Sequence, residues 1–381
     1  MAKKYLVVSD LHLCDIENNA DGWKDYKSSR FVFDDEFEAM LSEFMSSASD
    51  GDSLVLVLNG DIFDFDLVSD LPENPPWKVS RNERKRGLQA GEDKSVWKLE
   101  RMLADHSQFV GALARFLSAG HKIVYVLGNH DREFHFERVR RCFADELKKA
   151  ASENGLSFSA DQLSFEPWFY YEPGEIYAEH GQQFDYYNSW CYQLNPVVQV
   201  DGEEIIALPM GNLSNRYLMT GMGYFNPHSS DYILNLFRYM AHWFRYYAFS
   251  KRSLVFKCLM GSLLVMWRLL KNKKLMRLSE EGHIEAMQSL SDRSGISMVQ
   301  LEKLGSLHRT PITNRVYRIM REFWIDRLAI ALLMIGGTIT LALVPIPLWI
   351  KLMVPLSSFP LLIFLYEYAA RGESIFTVSE Q

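Results

Sequence analysis

Lys122-Ile123-Val124-Tyr125-Val126-Leu127-Gly128-Asn129-His130-Asp131 decides the fold. A short run of β-branched, aromatic and aliphatic residues stops at Gly128, and three polar side chains follow. Such a run predicts a buried strand with chemistry at its C-terminal edge. Two earlier stretches share the plan: Lys4-Tyr5-Leu6-Val7-Val8-Ser9-Asp10-Leu11-His12 and Ser53-Leu54-Val55-Leu56-Val57-Leu58-Asn59-Gly60-Asp61-Ile62-Phe63-Asp64. Apolar strands that each deliver Asp, His or Asn at the same end predict one shared site. The donor types suit a metal centre.

The segments between these strands give the fold class. Leu13–Arg30 is polar and reads as a loop beside the site. Asp34–Ala48 has Phe37, Met40, Leu41, Phe44 and Met45 on one stripe, with Asp34, Asp35 and Glu36 at the positive N-terminal end of the expected helix. Asp50-Gly51-Asp52 turns the chain into the second strand. A β-α-β order favours a parallel pair, hence an α/β fold. Leu67–Glu92, with Pro72, Pro75 and Pro76, reads as a long surface loop whose basic run Arg81–Arg86 is a solvated face. Ser95–Ser118 reads as one long helix stopped by Gly120, and Phe136–Ala150 as another. Leu163–Tyr171 and Glu175–His180 flank Glu172-Pro173-Gly174, a hairpin that would deliver His180.

The totals exclude some classes. The chain has 381 residues, enough for one large or two modest domains, and a net charge of −7. That charge argues against a general nucleic-acid binder. The average hides a split: Arg238–Arg327 holds 17 Lys and Arg against 7 Asp and Glu, +10, leaving −17 for the remainder. Cys14, Cys142, Cys191 and Cys258 are scattered without Cys-x-x-Cys spacing, as for free thiols in a reducing compartment. The N-terminus lacks the apolar run of a cleaved signal peptide.

Beyond about residue 230 the composition changes. Tyr232–Leu278 mixes Phe, Tyr, Trp, Leu and Met with Arg and Lys, the makeup of helices that lie in a membrane interface; an aromatic-rich helical core is the alternative. Ser279–Thr313 is polar and reads as loop-rich. Leu328–Tyr366 carries Lys351 as its one formal charge. Its length, ~58 Å as helix, is about twice a ~30 Å hydrocarbon core, so two spans turning near Pro345-Ile346-Pro347 fit better than one. Ser357, Ser358 and Pro360 in the second arm keep a re-entrant hairpin open. Arg321 and Arg327 before the stretch and Arg371 after it place both ends on the cytoplasmic side of a cytoplasmic membrane.

Asp10-x-His12, Gly60-Asp61-x-x-Asp64, Gly128-Asn129-His130-Asp131 and His180-Gly181, in that order and the first three after apolar strands, resemble the calcineurin-like metallophosphoesterases. The resemblance covers about half of the chain, roughly residues 3–185. It implies a β-sandwich of two facing sheets flanked by helices, and two divalent ions (Mn, Fe, Zn or Co) acting on a phosphoester. It further implies that Asp10 and His12 bind the first ion, that Asp61 bridges, and that Asn129 and His180 bind the second. His130 would serve as general acid or phosphate stabiliser, oriented by Asp131 or another carboxylate. For Asp64 a turn or supporting hydrogen bond is as good a reading as a ligand. The chain divides into 1–230, the phosphoesterase domain; 231–327, a basic aromatic helical region; 328–368, an apolar membrane hairpin; and 369–381.

One departure follows. The family closes its site with a further Gly-His-x-His segment, and no His-x-His follows His180. Three readings stand: a closing motif beyond Gln381, a substitute such as His308, or a degenerate relative that only binds. The expected function is a metal-dependent hydrolase of a phosphomonoester or phosphodiester, lipid-linked or delivered at the inner membrane face through residues 231–368, with no nucleic-acid partner. A membrane-anchored scaffold is the alternative from another class. The opening Ser9-Asp10-Leu11-His12-Leu13 is also similar to that of enzymes cleaving the pyrophosphate of UDP-diacylglucosamine, but those carry Arg where His130 stands.

Overall fold

The computed structural model describes residues 3–20, 23–49, 51–200, 202–218, 220, 223, 237, 240, 241, 244, 254–275, 279–312, 316–322 and 325–370. His228, His242, Arg238, Arg245, Lys251, Arg252 and the segment after residue 370 lie outside them. The chain divides into a unit up to Pro311 and a unit from Ile312 onward.

The first unit is an α/β fold on a parallel four-stranded sheet in the order β1 (Lys3–Val8), β2 (Ser53–Asn59), β3 (Lys122–Val126), β4 (Leu163–Glu166). Between their polar ends strands β2 and β3 are apolar because both faces are covered. On one face, Leu54, Leu56, Leu58, Ile123 and Tyr125 pack against helices α1 (Asp34–Ser46), α3 (Glu92–Asp105), α4 (Ser107–Ser118) and α5 (Glu137–Glu153). On the other, Val55, Val57, Val124 and Val126 meet Ala178, Tyr170 and Ile176 of the antiparallel hairpin β5 (Phe169–Glu172)–β6 (Ile176–Glu179). The sandwich is thus a full sheet against a short hairpin.

Three sequence expectations are corrected. The single helix over 95–118 is broken at His106, whose ring is buried between Asp34 Oδ1 and the Cys14 carbonyl, each 2.9 Å from a ring nitrogen. The Asp105 carboxylate next to it accepts the Ile16 N–H at 2.7 Å, so the helix is tied to the loop after β1 where it breaks. The loop over 67–92 contains a short helix, α2 (Glu83–Arg86), in which Glu83 is buried against Lys94. Ser279–Thr313, expected to be loop-rich, holds two helices, α8 (Ser279–Ser294) and α9 (Met298–Gly305). A narrow stripe of Met287, Leu290, Leu301 and Leu304 packs them on Trp168, Phe169 and Leu194, and a Ser297–Gln300 capping box starts the second.

Between these parts runs the hairpin β7 (Val197–Val200)–β8 (Glu203–Ile206), bridged to Gly91, which leads into α6 (Met210–Tyr217). Arg216 donates to the Gly87 carbonyl and Arg86 to the Tyr217 carbonyl, pinning the end of α6 to the loop before α3. Helix α7 (Leu254–Leu275) backs α6, with Gly261 close against Leu218 and the Tyr217 carbonyl. Its outer stripe of Met260, Leu263, Trp267 and Leu270 is exposed, and Arg268 and Lys271 lie over the Trp267 ring.

In the second unit, α10 (Val316–Glu322) precedes α11 (Ile325–Leu343) and α12 (Leu348–Ala370). The last two each hold a 19-residue apolar span, ~28 Å at 1.5 Å per residue, long enough to cross a membrane. They are not a buried pair: Leu333, Leu343 and Leu356 are more than 70 % exposed. At the turn between them Lys351 Nζ donates to the Ala342 carbonyl at 2.7 Å, satisfying a carbonyl that the end of α11 leaves open. Pro355 and Pro360 interrupt the ladder of α12, and the Ser357 and Ser358 hydroxyls bond back to the carbonyls of Met353 and Val354.

Candidate metal centre

The tips of β1 and β2 bend sharply to deliver their polar residues. Asp10 and His12 after β1 and Asp61 after β2 have φ of 58°, 48° and 54°, backbone that costs a side-chain-bearing residue ~1–3 kcal/mol. They are three of the four such non-glycine residues among those described. The tips are cross-tied: the N–H groups of Asp10 and His12 donate to the Gly60 and Asp61 carbonyls at 3.1 and 3.0 Å. Two glycines are required by packing. A Cβ on Gly60 would stand 2.5 Å from the His180 ring, and one on Gly128 would stand 2.3 Å from Asp61 Oδ1.

The structure brings Asp10, His12, Asp61, His130 and His180 together. Asp10, Asp61 and His180 have ligand atoms within 4.8 Å of one another, as do His12, Asp61 and His130. Asp61 belongs to both groups. His180 arrives from the end of β6. Its Nδ1 lies 2.9 Å from the Asn59 carbonyl, which can only accept, so Nδ1 carries a proton and Nε2 is the nitrogen left to face a cation. That Nε2 is 3.1 Å from Asp61 Oδ2. The other Asp61 oxygen accepts the His130 N–H at 2.7 Å. The His12 and His130 rings meet edge to face, 4.9 Å between centroids.

The carboxylate at His130 is Asp64, not Asp131. Asp64 Oδ2 lies 3.0 Å from His130 Nδ1 and 3.4 Å from His12 Nδ1, while Oδ1 accepts the Asp66 and Leu67 N–H groups. It serves as turn former and imidazole partner at once. Asp131 faces the backbone: its oxygens take the N–H groups of Ile62 and Gly128 and the Tyr125 hydroxyl. Of the two readings that the sequence left open, Asp131 or another carboxylate, the distances favour the second, because adjacent side chains need not share a face.

Asn129 is held by groups that no motif announced. Its Nδ2 donates to Asn212 Oδ1 at 3.2 Å, and Asn212 Nδ2 donates to Asp66 Oδ2 at 2.8 Å and to the Asn129 carbonyl at 3.0 Å. Arg132 grips Asp66 with both terminal nitrogens, at 3.0 and 2.8 Å. Asp66, Arg132 and Asn212 are all buried. No periodicity or spacing in the sequence ties residue 212 to residue 129.

The electrostatics suit cations. Burial opposes charge on Asp61, but the imidazoles of His130, His180 and His12 hold its carboxyl far below the ordinary range. Burial likewise opposes charge on His130, yet Asp64, Asp61 and Asp66 outweigh it and raise the imidazole to about 10. His180 is pulled down by burial and raised further by Asp61, to about 9. Carboxylates this dense hold protons on their imidazoles, and a divalent cation would supply the same counter-charge and release them. Carboxylate and imidazole donors gathered around the shared Asp61 suit a divalent cation.

His308 does not join this cluster. Its ring packs against Trp168 and Phe184 at 5.1 and 5.2 Å, with Nε2 3.9 Å from Glu179 Oε1, and burial lowers its pKa to about 4. Glu179 precedes His180 on β6, so its side chain leaves the opposite face of the strand. His283 faces Tyr192 and the Leu194 N–H.

The family model described as calcineurin-like phosphoesterase matches residues 3–247. No curated protein and no solved structure matches the chain.

Proposed function

The chain belongs to the calcineurin-like phosphoesterase family, and from that premise we propose that it hydrolyses a phosphomonoester or phosphodiester with two divalent ions, Mn, Fe, Zn or Co. The carrying observation is the Asp61 carboxylate, which is shared by the group with Asp10 and His180 and the group with His12 and His130, and suits a bridge. Asp10 and His12 would hold one ion, Asn129 Oδ1 and His180 Nε2 the other. Ions bound there would neutralise phosphate oxygens and bring the pKa of a bound water to about 7.

The remaining roles fall to the protein's own groups. His130 holds a proton beside the cluster, and Asp64 keeps Nδ1 of that ring occupied so that Nε2 is the atom offered to a leaving-group oxygen. Asp131 keeps the loop after β3 in the shape that presents Asn129 and His130. In a chromogenic phosphodiester assay with added Mn²⁺, wild-type protein should turn over and Asp61→Ala should not. Indistinguishable rates would favour a binding-only scaffold.

We place the action at a membrane, with the phosphoesterase domain on the cytoplasmic side. The apolar spans of α11 and α12, the Arg321 and Arg327 that precede or begin them, and the exposed apolar stripe of α7 with its cations support this reading. A lipid-borne phosphoester is the substrate class that such anchoring would favour. Deleting α11 and α12 should slow hydrolysis of vesicle-borne substrate while leaving soluble substrate unaffected; equal effects on both would remove the lipid assignment.

A further inference from the structure

We infer that Asn212, on α6, is a positioning residue that sets the orientation of the Asn129 amide and so the affinity of the second metal position. The inference rests on the metal-dependent reading above and names a residue outside the strand-tip motifs.

The argument is one of donors and acceptors. An amide has one end that donates and one that accepts, and a metal takes only the oxygen. Which end Asn129 offers is therefore a question of what holds its other end. Asn212 Nδ2 stands 2.8 Å from a carboxylate oxygen of Asp66 and 3.0 Å from the Asn129 carbonyl. Both of those groups only accept, so the Asn212 atom facing them must be its NH₂. Its oxygen then faces Asn129, at 3.2 Å, and can be met there only by the Asn129 NH₂. With Nδ2 committed, Oδ1 is the atom that Asn129 has for a cation.

The chain of constraint has a fixed origin. Asp66 cannot rotate freely, because Arg132 holds both of its oxygens and also donates to the Asn129 carbonyl. Asn212 itself is fully buried, so water does not compete for either end of its amide. Helix α6 is in turn fixed by Arg216 on the Gly87 carbonyl and Arg86 on the Tyr217 carbonyl. The metal position thus depends on a helix 83 residues downstream of its ligand. Partners of this kind are worth about 10–100-fold in metal affinity.

The test is Mn²⁺ binding by calorimetry on the full chain, read together with thermal melting of the metal-free protein. Asn212→Leu, close in shape but without hydrogen bonds, should weaken one Mn²⁺ about 10–100-fold, leave the other unchanged, and move the metal-free melting point by only a few degrees. Asn212→Ser serves if the Leu variant does not fold. The deciding arm is a double-mutant cycle with Asn129→Asp. A carboxylate offers oxygen at either end, so the same substitution at 212 should cost little in that background. An equal loss in both backgrounds would mean that Asn212 acts only by supporting the fold, and the inference would be overturned. Unchanged binding in Asn212→Leu would overturn it too. Wild-type protein that takes up no Mn²⁺ would instead sink the metal-dependent reading itself.

Discussion

Asp64 Oδ2 stands 3.0 Å from His130 Nδ1, while Asp131, the immediate neighbour of His130, turns both oxygens to backbone and phenol donors. The two carboxylates therefore do different work, and substitution separates them. Asp64→Asn keeps the size but lets an NH₂ face the imidazole, which disfavours the useful tautomer. Its kcat should fall about 10²-fold with the fold retained. Asp131→Asn should instead lower stability by ~1–3 kcal/mol, with a smaller loss of kcat per folded molecule than Asp64→Asn. Steady-state kinetics beside denaturant melts read both.

Gly60 and Gly120 share positive φ, 80° and 90°, but differ in what surrounds them. Gly120→Ala meets nothing within 4 Å, so it should cost only backbone strain, ~1–2 kcal/mol, with metal binding untouched. Gly60→Ala drives a methyl into the His180 ring and should weaken metal binding as well. Equal metal affinities in the two variants would contradict the placement of His180.

Stability should depend on pH through Glu83. Burial raises its pKa, but the Ser80 backbone and hydroxyl donors, Lys94 and the Gln89 N–H outweigh that and lower it to about 2. A carboxyl depressed on folding stabilises the native state above its unfolded pKa, near 4.3, and loses that contribution as pH falls through the folded value. Wild-type protein should therefore lose stability between about pH 4.5 and 2 by an amount that Glu83→Gln no longer shows, on the order of 2 kcal/mol. Melting curves across that range give the difference.

His308 is the described histidine that sequence offered as a substitute ligand, and its surroundings are aromatic. His308→Ala should lower stability by loss of packing and leave Mn²⁺ affinity unchanged. A loss of bound metal in that variant would restore it as a ligand.

The strands and their tips were legible because a fully buried parallel strand is apolar throughout and the polar residues that end it stand out. Asp10, His12, Asp61 and His130 converge for that reason, and the hairpin β5–β6 adds His180. Hydrophobic period also gave α1 and α5 to within a few residues. It missed the break at His106, which is caused by two hydrogen bonds to distant parts of the chain. It missed α8 and α9, whose apolar stripe is narrow and whose partners, Trp168 and Phe169, lie over a hundred residues earlier. The partners of Asn129 and His130 were illegible for the same reason. Asp66 and Asn212 are ordinary residues until the fold sets them against the site.

The central claim is that these strand tips hold a pair of cations around Asp61. Metal content by mass spectrometry, after equilibration with Mn²⁺ and gel filtration, tests it most directly. Two ions per wild-type chain and at most one in Asp61→Asn are predicted. The same stoichiometry in both proteins would contradict the account, because no shared carboxylate would then be needed.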